Sequence, residues 1–255
     1  MPLDPCSAPI TVVLVEPAGP LNVGSVARLC ANFGVPELRL VSPRCDPLGE
    51  EALRMAVHGR WVLEQARHHG SLAEALADCR RVVATSGRQD EAPLPLRQPR
   101  EALHWLLDPA PAAEAGAAPR ALVFGREDQG LRNEELLQAG RLLQIDTSPA
   151  CPSMNLSHAV AVVLHQLQEL QISPPAATAG AAAPDDPAPR GALEATLADA
   201  RELLLEVGFL YPHTADARMA KLRALLQRAL VNDAEVALLR GMVRQLRWAS
   251  RRRSP

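Results

Sequence analysis

Over the first 170 residues, short apolar runs alternate with stretches of helical character, and this alternation limits the fold more than any other feature of the chain. The runs at 10–15, 37–41, 81–85, 120–124 and 141–145 are short and rich in Val, Leu and Ile. Apolarity without polar alternation marks strands that are covered on both faces. Helical stretches separate them at 24–33, 48–56, 71–78, 98–107 and 133–139, and a longer one follows near 154–170. Ser71, with Glu74 three residues on, has the spacing of a capping box. The pattern predicts an α/β fold, a mostly parallel sheet with helices on both faces. Ligands of such sheets bind off the carboxyl ends of the strands.

With 255 residues, 47% of them apolar, the chain can build one large domain and a small appendage. Aromatic residues make up only 3%, so the core must be Ala, Val and Leu. Residues 108–119 are Ala/Pro/Gly-rich and short enough for a surface loop. Residues 172–191 hold too many prolines for a helix and too little hydrophobicity for a core. We therefore divide the chain into a domain at 1–171, a Pro/Ala-rich linker at 172–191 and a small all-α extension at 192–255. Amphipathic patterns in the extension cover 192–207, 215–230 and 233–248, with Gly208 ending the first and Asn232 or Asp233 capping the last. The last 65 residues carry a net charge of +4 and the rest −6, so a polyanion would meet the tail first. A solvated helical face ending in Arg251-Arg252-Arg253 accounts for the same charges.

Cysteines 6, 30, 45, 79 and 151 form no Cys-x-x-Cys pair and no grouping with histidine. They read as reduced thiols rather than a disulfide frame or zinc site. His158 and His165 lie seven apart on one helix without an acidic or cysteine partner beside them, so no metal site is expected. No stretch approaches the ~20 apolar residues of a membrane span. The N-terminus lacks the basic start and apolar run of a signal peptide. The expectation is a soluble cytoplasmic protein.

Three polar loops follow strands. The first, Glu16-Pro17-Ala18-Gly19-Pro20-Leu21-Asn22-Val23-Gly24-Ser25, can offer backbone N–H groups to an anion, with Arg28 one turn into the helix that follows. Gly19-x-x-x-x-Gly24-Ser25 departs from a triphosphate loop because no Lys separates the last Gly from the Ser. A glycine turn where a helix packs on its strand would read the same way. Arg at a helix start opposes the macrodipole, and a residue that breaks a local rule is a candidate for function. Its bland alternative is a surface ion pair with Glu16 or Glu127. Thr85-Ser86-Gly87-Arg88 and Gly125-Arg126-Glu127 end two further strands with small residues and backbone donors, which suit a flat polar ligand such as an adenosine.

Taken in order, Leu14-Val15-Glu16-Pro17…Asn22-Val23-Gly24-Ser25-Val26-Ala27-Arg28, Val123-Phe124-Gly125-Arg126-Glu127…Gly130-Leu131 and Pro152-Ser153-Met154-Asn155-Leu156-Ser157 resemble the three motifs of the SPOUT RNA 2′-O-ribose methyltransferases. The likeness extends to the TrmJ type, which acts on cytidine or uridine 32 of tRNA. In the tail, Val207-Gly208-Phe209-Leu210, Met219-Ala220-Lys221-Leu222-Arg223 and Leu238-Leu239-Arg240-Gly241 resemble that type's C-terminal extension. The resemblance implies a C-terminal trefoil knot, S-adenosylmethionine (SAM) bound in it, a homodimer with active sites at its interface, and tRNA as substrate. By position, the cofactor residues are Thr85, Ser86, Gly87, Gly125, Ile145, Pro152, Ser153 and Met154. Family members often have serine at Pro152 and an aromatic at Cys151, so those positions depart from the pattern. Arg28 would be the catalytic residue, Asn22 and Glu127 would shape its surroundings, and Ser153 and Asn155 would lie near the ribose. Arg stays protonated throughout the ordinary pH range and is a poor base, so its expected role is to stabilise the developing alkoxide and clamp a phosphate. Two alternatives remain: a ribosomal RNA 2′-O-methyltransferase of the same superfamily, and a non-catalytic RNA-binding protein on the same fold.

Overall fold

A computed structural model describes residues 9–87, 92–108, 118–172 and 186–253. Seven parallel strands form one sheet in the order β3-β2-β1-β6-β4-β7-β5. They are β1 (Ile10–Val15), β2 (Glu37–Val41), β3 (Arg67–His69), β4 (Arg81–Thr85), β5 (Leu96–Arg97), β6 (Arg120–Phe124) and β7 (Arg141–Leu143). The helices between them are α1 (Pro20–Asn32), α2 (Glu50–Ala56), α3 (Arg60–Glu64), α4 (Leu72–Leu76), α5 (Pro99–Leu107), α6 (Asn133–Leu136) and α7 (Leu156–Ile172). Strand alternation sends Val12, Leu14, Leu38, Leu40, Leu122 and Phe124 into a core shared with α1, α5 and α7. It sends Val13, Val15, Val82, Ala84, Ala121 and Val123 into a second core with Leu72, Leu76 and Leu136. Both faces are covered, as the continuous apolar runs require.

Four of the five expected strands are observed at the expected residues, and the fifth is two residues shorter. β3 and β5 escaped the sequence reading because Arg67-His68-His69 and Leu96-Arg97 are short and polar; they sit at the sheet edges, where little apolarity is needed. α1 starts at Pro20, four residues earlier than expected, with Pro at the first helical position where its missing N–H costs nothing. Ser71 caps α4 through the Glu74 N–H (3.3 Å), but the Glu74 carboxylate returns to the Gly70 N–H (3.0 Å), one residue before the expected partner. Cys30 and Cys79 are buried, and burial pushes both thiols up to about 12.

The extension contains α8 (Arg190–Glu206), α9 (Ala215–Ala229) and α10 (Asp233–Arg253) around Leu193, Leu197, Leu210, Met219 and Val236. Gly208 ends α8 at φ +74, and Asn232 caps α10 by accepting the Glu235 N–H at 2.9 Å. Ala220 and Ala224 pack against the second core, so the extension rests on the larger domain. The end of the stretch expected to be linker is also packed. Asp186 is 8% exposed and accepts from Arg81 Nε at 2.7 Å, while Arg190 N and Gly191 N donate to Cys79 O and Ala77 O. Residues 173–185 of that linker, most of the 108–119 loop, Cys6 and Arg88 lie outside the described residues. Among the described residues, no helix is long and apolar enough to cross a membrane.

Candidate active site

The loops after β4, β6 and β7 enclose a cavity of about 400 Å³ at the carboxyl ends of the strands. All eight residues expected to hold a cofactor line it: Thr85, Ser86, Gly87, Gly125, Ile145, Pro152, Ser153 and Met154. Leu143, Leu156 and Ala159 supply apolar lining, and Glu127, Asp128 and Gln129 a polar edge. The walls are tied to the sheet and to themselves. Ser86 N donates to Leu143 O at 3.0 Å, Thr85 Oγ1 to Val123 O at 3.2 Å, and Thr147 Oγ1 to Pro152 O at 3.0 Å. Gly125 is required by close approach, since a Cβ there would lie 2.3 Å from the Gly130 carbonyl carbon.

A chain of polar contacts runs outward from this edge. Glu127 accepts from the Ala18 N–H (3.0 Å), the Gly19 N–H (3.0 Å) and Asn22 Nδ2 (3.1 Å). Asn155 Nδ2 then donates to Asn22 Oδ1 at 3.0 Å, while Asn155 Oδ1 caps α7 by accepting from Ser157 N (2.9 Å) and Ser157 Oγ (2.8 Å). Burial pushes the Glu127 carboxyl up, but bonds from Ala18, Asn22 and Gly19 outweigh it and leave it below the ordinary carboxylate value. Three of the expected catalytic residues, Asn22, Glu127 and Asn155, thus meet in one network across 133 residues of sequence.

Several expectations about the first loop are corrected. Its backbone amides at Ala18 and Gly19 are already taken by the chain's own anion, Glu127. Asn22 lies in the first turn of α1 rather than in the loop before it. Gly24 serves neither a phosphate nor the strand: a Cβ there would lie 2.2 Å from Ala52 O, so it lets α1 pack on α2. Because α1 starts at Pro20, Arg28 lies past its midpoint, away from the N-terminal end of the macrodipole, and the dipole argument for its function falls. The ion-pair alternative falls as well. Glu16 is bound by Arg126, Glu127 is bound as described, and among the described residues Arg28 is exposed with no side-chain hydrogen bond or ion pair. It does not line the cavity.

Sequence reasoning missed what Arg126 does. Only 4% exposed, it donates from Nε and Nη2 to Glu16 (2.9 and 2.5 Å) and from Nη1 and Nη2 to Glu135 (2.9 and 2.7 Å). No local spacing announces a pair 110 residues apart. His165 has an acidic neighbour after all, Glu169 one turn on at 3.9 Å, and its ring meets Phe33 edge-on. Among the described residues, no three His, Cys, Asp or Glu side chains group as metal ligands.

Residues 9–165 match the model of the SpoU rRNA Methylase family, and residues 192–254 match that of the tRNA methyltransferase TrmJ C-terminal domain. The chain is 35% identical over 248 residues to the tRNA (cytidine/uridine-2′-O-)-methyltransferase TrmJ of Cronobacter sakazakii, covering 96% of this chain and 98% of that protein. It is 34% identical over 258 residues to the tRNA (cytidine/uridine/adenosine-2′-O-)-methyltransferase TrmJ of Pseudomonas aeruginosa, covering 95% of each. Among solved structures, TrmJ from Z. mobilis superposes with a TM-score of 0.79 at 28% identity, covering 93% of this chain and 98% of that one.

Proposed function

The chain belongs to the SpoU methylase family with a TrmJ-type C-terminal domain and is a tRNA 2′-O-ribose methyltransferase, and on that premise we propose that SAM binds in the cavity off β4, β6 and β7 and methylates a pyrimidine at position 32. The observation that carries this reading is that eight residues from three separate loops line one cavity whose edge residue, Glu127, is wired to Asn22 and Asn155. A cavity of about 400 Å³ lies within the ~300–1,000 Å³ of small-molecule sites. Its glycines and backbone groups let a flat adenosine approach closely, and Leu143, Ile145 and Leu156 supply apolar contact. Both reported relatives carry cytidine and uridine in their names and only one adds adenosine, which favours a pyrimidine target.

When bound, SAM supplies an electrophilic methyl group on a cationic sulfur. The chain's own residues position the ribose and stabilise charge. Ser153 at the cavity and Asn155 at the start of α7 stand where a ribose would enter. Glu127 is held anionic with its oxygens occupied, so it orients Asn22 and does not take the proton. Arg28 stabilises the developing 2′-alkoxide and clamps the neighbouring phosphate. A backbone phosphate or water accepts the proton, and in-line alignment of oxygen, carbon and sulfur supplies much of the rate. No metal enters this scheme.

The same reading includes a homodimer. Arg28 does not line the cavity of its own chain, as active sites shared across an interface require. It also includes the trefoil knot, and the observation that supports it is the place of β7, last in sequence, between β4 and β5. The basic extension is read as a tRNA-contacting module docked on the sheet, and a tRNA substrate places the enzyme in the cytoplasm. Intact Asn22, Arg28, Glu127 and Asn155 argue against a non-catalytic RNA-binding protein.

The test is methyl transfer from labelled SAM to unmodified tRNA and rRNA side by side, followed by digestion and nucleoside mass analysis. The expected product is a 2′-O-methylated pyrimidine mapped to position 32 of tRNA. Label in rRNA alone would move the substrate to the ribosome and overturn the tRNA reading.

A further inference from the structure

Two loops at the carboxyl ends of neighbouring strands β1 and β6 are joined by a buried cation, Arg126, which lies between Gly125 and Glu127 and itself lines the cavity. Arg126 binds Glu16 at the end of β1 and Glu135 in α6, and its backbone pairs with Gly130 through N–H to O (3.3 Å) and O to N–H (3.0 Å). Two carboxylates around one guanidinium offset the large cost of burying it. Burial pushes the Glu135 carboxyl up, but bonds from Arg126 and the Arg132 amide outweigh it; the bond from Arg126 lowers Glu16 directly. Arg132, 3.7 Å from Glu16, adds a second cation.

The clamp acts on a strained turn. Glu16 has φ +45, a left-handed conformation that a non-glycine residue keeps only where its surroundings hold it. Its N–H donates to Val41 O (2.8 Å), its C=O accepts from Arg44 Nε (3.1 Å), and its carboxylate is held by Arg126. From this turn the chain reaches Ala18 and Gly19, whose amides aim at Glu127, the residue next to Arg126. Gly19 leaves little slack, because a Cβ there would lie 3.0 Å from Asn22 Nδ2.

We propose that Arg126 is a positioning residue: by holding the strained Glu16 turn against the 126–130 loop, it sets the Ala18 and Gly19 amides on Glu127 and so orients Asn22 and Asn155 for methyl transfer. This rests on the methyltransferase reading for its catalytic part and on geometry alone for its structural part. Lysine at 126 would keep the charge but would not bridge two carboxylates with four bonds.

The experiment compares Arg126→Lys and Glu16→Gln with Arg39→Gln, which takes an equally buried guanidinium from its bridge to Asp78 and Glu37 on the neighbouring strand β2. Amide hydrogen exchange at Ala18 and Gly19 is read without any ligand, then kcat and KM for SAM and tRNA, with the unfolding temperature of each protein. We expect Arg126→Lys and Glu16→Gln to speed exchange at both amides at least tenfold and lower kcat at least tenfold, with KM for SAM within threefold. Arg39→Gln should leave both readouts within twofold at a similar loss of unfolding temperature. Unchanged exchange in both clamp variants overturns the proposal. So does a fall in kcat matched by Arg39→Gln, which reduces the clamp to a general structural role. Absence of methyl transfer by the wild-type protein would sink the functional reading instead, and the exchange arm would still decide whether the clamp holds the turn.

Discussion

Adding a single methyl group at Gly125 tests whether the loop after β6 is a rigid wall of the cavity proposed for SAM. A Cβ there would lie 2.3 Å from Gly130 C, 2.4 Å from Leu131 N and 2.7 Å from Gly130 O. Favourable contacts between such atoms are about 3.5–4 Å, so Gly125→Ala forces backbone apart by about 1 Å. The far side does not yield easily. Gly130 sits at φ +66 with both backbone groups paired to Arg126, and Leu131 is 3% exposed within the second core. Inserting a methyl into packing of this kind costs about 1–3 kcal/mol. If the loop moves to relieve it, the same strain appears as about a five- to 150-fold loss of SAM affinity, at about 1.4 kcal/mol per decade. Titration calorimetry with SAM and thermal unfolding read the two arms together. Gly241→Ala in α10 is the control, since nothing lies within 4 Å of a Cβ there and SAM affinity should be unchanged. Wild-type affinity together with wild-type unfolding temperature in Gly125→Ala would refute the rigid wall.

Arg28→Ala should leave unfolding free energy within about 0.5 kcal/mol, because the side chain is exposed and without a partner among the described residues. Its kcat should fall about 10²- to 10³-fold with SAM affinity within a few-fold, and strong loss of SAM binding would contradict its assigned role. Asn155→Ala removes the α7 cap and should cost about 1 kcal/mol as well as turnover. Asn155→Asp keeps the capping oxygens but loses the donor to Asn22, so stability should hold while kcat falls; equal stability loss in both would contradict this division. Glu127 is more acidic folded than unfolded, so its bonds contribute stability above the ordinary value of 4.5 that is lost as pH falls through the folded value. Denaturation of wild type and Glu127→Gln should therefore converge in acid, and a stability gap constant from pH 7 to pH 3 would count against it.

What was legible in the sequence was local. Runs such as Ile10–Val15 and Arg120–Phe124 announce strands because burial on both faces leaves no room for polar residues. The loops that line the cavity were legible because each carries its small residues at the end of such a strand, and a parallel sheet aligns those ends without further information. The start of α1 was misread from the same kind of signal. Gly19-Pro20 reads as loop punctuation, yet Pro20 occupies the first helical position, a placement as common as the loop reading. Short edge strands β3 and β5 carry no apolar signature at all.

Pairings across long separations were not legible, and they decide the electrostatics. Arg126 meets Glu16 over 110 residues, Arg81 meets Asp186 over 105, and Arg39 meets Asp78 over 39. Each of these three guanidinium groups is buried and matched to carboxylate, which offsets the cost of burying its charge. That rule restores the case for Arg28 on different ground from the dipole argument that the structure removed. Arg39, Arg81 and Arg126 are buried and paired. Arg28 shares α1 with Asn22 but remains exposed and, among the described residues, unpaired, so nothing in the fold uses its charge. A cation left without a partner among the described residues, on the helix that carries Asn22, is available to an anion from outside the chain, and a tRNA backbone brings one to every nucleotide it presents.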